Sequence, residues 1–549
     1  MRPYTLSLIC IIYIGIASLD AQNLNELEGK IDQIFSDWKI DGPGGVIGVV
    51  KNGSLIFEKS FGLASLEFQV PNTNGTLFNI ASVSKQITAF SLVLLEQEGK
   101  IDLDDDIRKY LPEVPAFDST ITIRHLLTHT SGLRNFQNLL SMAGWREGDA
   151  MTNDDLLRFI SRQKELNYPV GAEYLYCNTG FVLATFIVER VTGMDFKDWT
   201  KKNIFEPLEM YQSGFREDMT AVHQNTATSY DSREAGFIQP LKYWTYMGNG
   251  NVYTTISELS RWIGNLESGI IGGKNAIETL TTRGILNNGD TLNYALGIGV
   301  DNYHGHRRWY HSGSVGGYRS ALYYFPDDHI GVVAVSNFST ANPGTKVGEL
   351  ADYLLDIETE TDANEVGYQH PTNVVESSMA NFERYVGSYY VQGAVVDAYL
   401  REGNRYMIAR GVTPELLVLP ASDSIYFVPV AGISVFFKQG GDKIKILQGD
   451  QLLDGYRILK DSGHLTQFEG TYYSPELDTE YIISVDGSRL MGYQQRHGSF
   501  ELFPVSGNEI KGEQFYFADI KVERWSNGEV KGLRVSNGRV RNLWFRKME

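Results

Sequence analysis

Three short segments of this chain carry residue types that together could perform nucleophilic acyl transfer: Ser82-Val-Ser-Lys85, Tyr176-Cys-Asn178 and His311-Ser-Gly313. A serine hydroxyl becomes a useful nucleophile only when a neighbouring base takes its proton. A lysine serves as that base once burial or a nearby cation lowers its pKa, and a tyrosine does so when an adjacent ammonium stabilises its phenolate. Asn178 offers an amide that could donate to a substrate carbonyl. Gly313 would let a substrate backbone approach a strand. Spacing alone does not single these residues out. Ser-x-x-Lys also occurs at Ser36–Lys39 and Ser161–Lys164, and His-x-Gly at His329–Gly331, whereas Tyr176-Cys-Asn178 is the only Tyr-x-Asn among 31 tyrosines.

The flanking residues separate the candidates from the decoys. Ser82 follows the apolar approach Phe78–Ala81 and precedes Ile87, Phe90, Leu92, Leu94 and Leu95, with no Pro or Gly before Glu98. This pattern predicts a helix opening near Ser82. Residues three apart share a helix face, so Lys85 would stand beside the Ser82 hydroxyl, at the positive end of the helix. Tyr176-Cys-Asn178 follows Pro169-Val-Gly171 and precedes an apolar run from Phe181 to Val191. It reads as a loop facing a cleft just before a buried helix. His311 lies between Arg308 and Ser314, and Val315-Gly-Gly317 leads into a second strand from Tyr318 to Phe325. That is a β-hairpin pattern. His329 follows Phe325-Pro-Asp-Asp328 and reads as a turn residue.

With these segments in place, the chain resembles the penicillin-recognising serine hydrolases related to class C β-lactamases, a set that includes D-aminopeptidases, D,D-peptidases and esterases. Ile121–Leu133, Asn249–Thr255 and Tyr294–Gly299 match further segments of that family, so the likeness spans residues 25 to 355. The resemblance implies that Ser82 forms an acyl-enzyme and that Lys85 and Tyr176 share the general-base work. Tyr176 would also protonate the leaving group, and Asn178 would position the substrate amide. The oxyanion hole would be the backbone N–H groups of Ser82 and Ser314, each such donor being worth about 3 kcal/mol. His311 stands where many relatives have the lysine of Lys-Thr-Gly. A histidine is mostly neutral at pH 7, so a permanent carboxylate clamp is missing. That argues against an efficient β-lactamase. Relatives with His-x-Gly include D-aminopeptidases.

The expected architecture is α+β: an antiparallel sheet and helical region sandwiched as in β-lactamases and penicillin-binding proteins, followed by all-β barrel modules. Residues 22–360 form the hydrolase domain and the polar stretch 361–380 a linker. Residues 381–460 and 461–549 form two modules resembling lipocalin-like barrels, with one fused β-domain as the alternative. Phe382-Glu-Arg-Tyr385 is echoed by Phe468-Glu-Gly-Thr471, a repeat of about 85 residues. The modules are expected to shape the cleft entrance, restrict substrate size or mediate assembly.

Met1-Arg2, the apolar stretch Leu6–Leu19 and Ala21 read as a secretory signal (residues 1–21) cleaved before Gln22, an uncleaved anchor being the alternative. Cleavage would leave Cys177 alone, so export without a disulfide framework suits a secreted or periplasmic protein of a Gram-negative bacterium. No other stretch is long and apolar enough to span a bilayer. The net charge of −18 and the lack of a basic patch or reading motif exclude nucleic-acid binding as a partner class. No cofactor is expected. His125 and His129 have metal-ligand spacing but lack the glutamate of His-Glu-x-x-His, and read as packing residues. Asp102, Asp104 and Asp106 lack a calcium loop's glycine, since Ile107 stands there, and read as a capping cluster. The leading expectation is an exported serine hydrolase cleaving amides of small peptides or D-amino acid derivatives. A carboxylesterase, a weak β-lactamase and a non-catalytic cell-wall-binding protein remain as rivals.

Overall fold

The computed structural model describes residues 17–234, 236–240, 242–357, 370–371, 373–377, 379–428, 431–448, 451–459 and 465–549. Residues 1–16 of the expected signal segment and 361–369 of the expected linker lie outside the described residues. Six antiparallel strands form the central sheet: β1 (Gly45–Lys51), β2 (Ser54–Phe61), β3 (Gly299–Tyr303), β4 (His306–Val315), β5 (Tyr318–Phe325) and β6 (Ile330–Ser336). Their order is β3-β4-β5-β6-β1-β2, so β1 pairs with β6 from Gly45↔Ser336 to Lys51↔Ile330.

Four helices position the site: α1 (Ala17–Ile34), α2 (Lys85–Gln97), α3 (Asn178–Thr192) and α4 (Pro343–Leu354). Successive strand residues point to opposite faces, and both faces here are covered. Ile47, Val49, Val332 and Ala334 share a core with Leu27 and Ile31 of α1 and with Val347 and Leu350 of α4. Val46, Val50, Val333 and Val335 join the core of the helical lobe, where α2 is buried from Lys85 to Leu95. The helix expected at Ser82 opens as a 3-10 turn over Ala81–Ser84 and becomes α-helical at Lys85. Ala81 sits at φ +47°, a left-handed conformation that no regular α-helix contains. Helix α3 is buried from Asn178 to Thr185 and at Ile187 and Val188, and it ends at Gly193, whose φ of +69° forms a left-handed C-cap.

Two β-sheet assemblies follow. The second is a closed eight-stranded barrel running from Gly470–Ser474 to Leu543–Lys547. The first is a nine-stranded sheet that curls without closing. Its edges are the two-residue strands Leu416–Leu417 and Leu419–Pro420, adjacent in the chain, and Pro420 has no N–H to complete a ladder. The first module has its own core around Phe382, Tyr389, Tyr426 and Phe437 and bonds to the second through Tyr390 Oη to Gly512 O (3.0 Å) and Leu459 N to Pro504 O (2.7 Å). The second barrel docks on the helical lobe, and its interior, including Tyr481 and Phe517, belongs to the same apolar cluster as Leu139 and Met142. Among the described residues no helix is long and apolar enough to cross a membrane.

Candidate active site

The turn that carries Ser82 is clamped between the sheet and the Asn249–Thr255 segment. Ala81 N–H donates to Asn79 Oδ1 (2.8 Å), Val252 N–H donates to Ser84 Oγ (3.1 Å), and Ser320 Oγ of β5 donates to Ile80 O (2.7 Å). Strand β3 pairs with β4 only as far as Tyr310, so from His311 onward that edge of β4 carries no strand partner. Gly313 is where the two meet. A Cβ there would stand 2.4 Å from Ile80 O and 2.3 Å from Ser320 Oγ. What this glycine admits is the nucleophile's own turn, where the sequence suggested a substrate backbone. Ser82 and Ser314 line one cleft of about 700 Å³ together with Asn178, Asn249 and Tyr246.

Lys85 is fully buried, with Nζ 3.1 Å from Ser82 Oγ and donating to Asn249 O at 2.6 Å. It also lies 4.9 Å from the centroid of the Tyr176 ring and 5.4 Å from that of Phe181. Burial, reinforced by the nearby Arg539 charge, holds its amine well below the ordinary lysine value. A neutral amine here donates one N–H to Asn249 O and turns its lone pair to Ser82. Tyr176 moves the opposite way. Burial pushes its phenol up to about 12, with the Ser82 hydroxyl and the Arg539 charge opposing that rise. The two shifts run in complementary directions: the Lys85 amine is eased toward its neutral form, and the Tyr176 phenol keeps its proton. The phenolate base considered from sequence is the disfavoured form.

Asn178 opens α3 and accepts nothing at Oδ1, which is buried and unpartnered among the described residues. Its Nδ2 is spent on Gln137 Oε1, and Gln137 Nε2 in turn donates to Tyr246 Oη (3.0 Å). The amide thus presents an acceptor, suited to a substrate N–H, where the sequence suggested a donor to a carbonyl. Asn249 Oδ1 is a second buried, unpartnered acceptor on the same cleft.

His311 is buried on β4, and burial next to the Lys85 charge takes its imidazole down to about 3. Its tautomer follows from its neighbours. Cys177 N–H donates to His129 Nδ1 (3.0 Å), so the His129 proton sits on Nε2, 3.3 Å from Tyr294 Oη. Tyr294 then donates to His311 Nε2 (2.9 Å), and His311 Nδ1–H faces Ser312 O (2.6 Å). His129, read from sequence as packing, does pack, but its ring lies 4.2 Å from that of Tyr176, tilted by 40°. His125 is likewise satisfied, in a capping box with Thr122. The acidic run is occupied too: Asp104 by Arg124 (2.8 Å), Asp105 by Lys109 (2.9 Å) and Asp106 by Arg108 (2.8 Å).

No motif pointed to the junction with the second barrel, one loop of which comes up beside Tyr176. Asn135 N–H and Asn167 Nδ2 donate to Arg539 O (3.2 and 3.0 Å), Asn138 Nδ2 donates to Asn537 O (3.1 Å), and Arg541 N–H donates to Asn167 Oδ1 (2.7 Å). Arg134 and Glu476, each almost fully buried, pair at 2.8 Å across the same junction. The guanidinium carbon of Arg539 lies 5.0 Å from the centroid of the Tyr176 ring.

Residues 31–355 match the family model described as Beta-lactamase. Penicillin-binding protein 4* of Bacillus subtilis is 26% identical over 417 residues, covering 73% of this chain and 91% of that protein. A D-aminopeptidase of Brucella anthropi is 24% identical over 485 residues, covering 87% and 88%. Among solved structures, the octameric penicillin-binding protein homologue from Pyrococcus abyssi superposes with a TM-score of 0.55 at 23% identity, over 79% of this chain and 100% of that one.

Proposed function

Because this chain belongs to the beta-lactamase family, whose model matches residues 31–355, we propose that it is an exported serine hydrolase that cleaves amide bonds of small peptides or D-amino acid derivatives through an acyl-enzyme on Ser82. One observation carries this reading: a fully buried Lys85 Nζ, held below its ordinary pKa, lies 3.1 Å from Ser82 Oγ. Ser82 Oγ would attack the substrate carbonyl carbon as Lys85 takes the hydroxyl proton. The oxyanion would sit between the N–H groups of Ser82 and Ser314. As the C–N bond breaks, the departing nitrogen takes the Tyr176 proton, and the Lys85 ammonium restores it. Water then attacks the ester carbonyl by the reverse relay, which frees the acid and returns the proton to Ser82.

His311 stays neutral throughout, so it offers no ammonium for a carboxylate. The likeness to a D-aminopeptidase and to a penicillin-binding protein supports an amide substrate. The test is release of p-nitroaniline from D-alanyl-p-nitroanilide, with quenched samples weighed for an acyl adduct on Ser82. Turnover and adduct, both lost in Ser82→Ala, are the expected result. Turnover that persists in Ser82→Ala would refute the assignment.

A further inference from the structure

The Lys-Thr-Gly position has no cation here; Lys242 and Arg319 line the cleft, and a further cation, from the second barrel, stands beside Tyr176. Arg539 lies on the loop between barrel strands Val530–Ser536 and Leu543–Lys547. Its backbone is pinned to the helical lobe by Asn135, Asn167 and, through its neighbour Asn537, Asn138. Its side chain, in contrast, is exposed and forms no ion pair among the described residues. The carboxylates on that rim are already engaged: Glu173 by Arg541 (2.9 Å), Glu165 by Arg534 (2.7 Å) and Glu476 by Arg134 (2.8 Å). A guanidinium held on a fixed backbone beside the catalytic tyrosine, without a partner, is built to meet an anion.

Its place fixes which end of the substrate it meets. On the functional reading above, on which this inference rests, Tyr176 gives its proton to the departing atom. The leaving group must therefore lie against Tyr176, and Arg539 sits over that ring. We propose that Arg539 is a specificity residue that binds a carboxylate on the leaving group, so that the preferred substrates are amides or esters whose leaving portion carries a free acid. A peptide whose C-terminal residue is released fits this description. A substrate presenting a free ammonium at that end is repelled.

The test uses the full chain and one matched pair: the N-benzoylglycyl ester of phenyllactic acid and the methyl ester of the same compound. Cleavage of the shared benzoylglycyl ester bond is read in both as release of N-benzoylglycine, so that loss of the methyl group is not counted and the leaving-group charge is what is compared. Wild type should favour the free acid in kcat/KM by about tenfold, the scale of one partly exposed charge pair. Arg539→Ala should bring the ratio near unity, Arg539→Glu should invert it, and Arg539→Lys should keep part of it. A mere influence of Arg539 on Lys85 would change both esters equally and leave the ratio alone. A wild-type ratio near unity, a ratio unchanged in Arg539→Ala, or turnover of neither ester while Ser82 still takes a fluorophosphonate each overturns the proposal and leaves the serine mechanism standing. Failure of the phosphonate to label Ser82 overturns both.

Discussion

As the proposed base, Lys85 depends on being kept from water, and this makes its chemistry unforgiving of substitution. Lys85→Arg keeps the volume and the nominal charge but cannot release a proton at any working pH. The expected loss in acylation rate is about 10²–10⁴-fold, the usual share of a general base, read by stopped-flow labelling of Ser82. The pH profile follows from the same shifts. Lys85 must be neutral, so kcat/KM should rise with pH through its depressed pKa and hold a plateau until Tyr176 ionises at about 12. His311 is already neutral above about 3, so between about pH 5 and 8 no inflection should belong to it. His311→Gln should therefore leave the acid limb where it is, and a limb that moves would contradict the assignment. At this scale the sequence was legible where chemistry is local. Ser82 and Lys85 are one turn apart, and the Tyr-x-Asn triplet is unique in the chain. The orientation of Asn178 was not legible, because it is decided by Gln137, 41 positions away, which is itself held by Tyr246, 109 positions from Gln137.

Strand β4 and the Ser82 turn form one unit whose fit depends on a missing methyl group. Gly313→Ala would drive a Cβ to 2.4 Å from Ile80 O, a backbone atom that cannot rotate away. The strand must withdraw, so acylation of Ser82 should fall by about 10²-fold or more, since a displacement near 1 Å costs that much. Gly29→Ala is the control. Nothing lies within 4 Å of its Cβ in the middle of α1, so this change should raise stability by about 0.5–1 kcal/mol in urea unfolding without touching activity. Sequence patterning predicted the β4–β5 hairpin, the buried run of α2 and the loop before α3, because each is written in a local period. It missed the 3-10 start of α2, since the strain at Ala81 is imposed by Asn79 and β5 rather than by its own residue type.

The second barrel is packed into the helical lobe rather than loosely attached to it. Its hold on the lobe centres on Arg134 and Glu476, which leave 1% and 2% of their surfaces exposed. Glu476→Gln should cost about 3–5 kcal/mol by urea unfolding, because it strands a buried guanidinium. The paired change Arg134→Met with Glu476→Leu should cost less, since no charge is then left alone. A single mutant as stable as wild type would mean that the junction is held by apolar contact alone. Composition announced β-modules but not where they dock, as bonds such as Asn167 to Arg541 leave no local pattern. That bond also sets a clock. Asn167 and Arg541 are separated by 374 positions, which a ribosome covers in roughly 20–75 s. Through that interval Ser82 and Lys85 are already synthesised while the barrel loop that reaches Tyr176 is still missing, so a nascent or truncated chain carries the serine and lysine without Arg539 beside them.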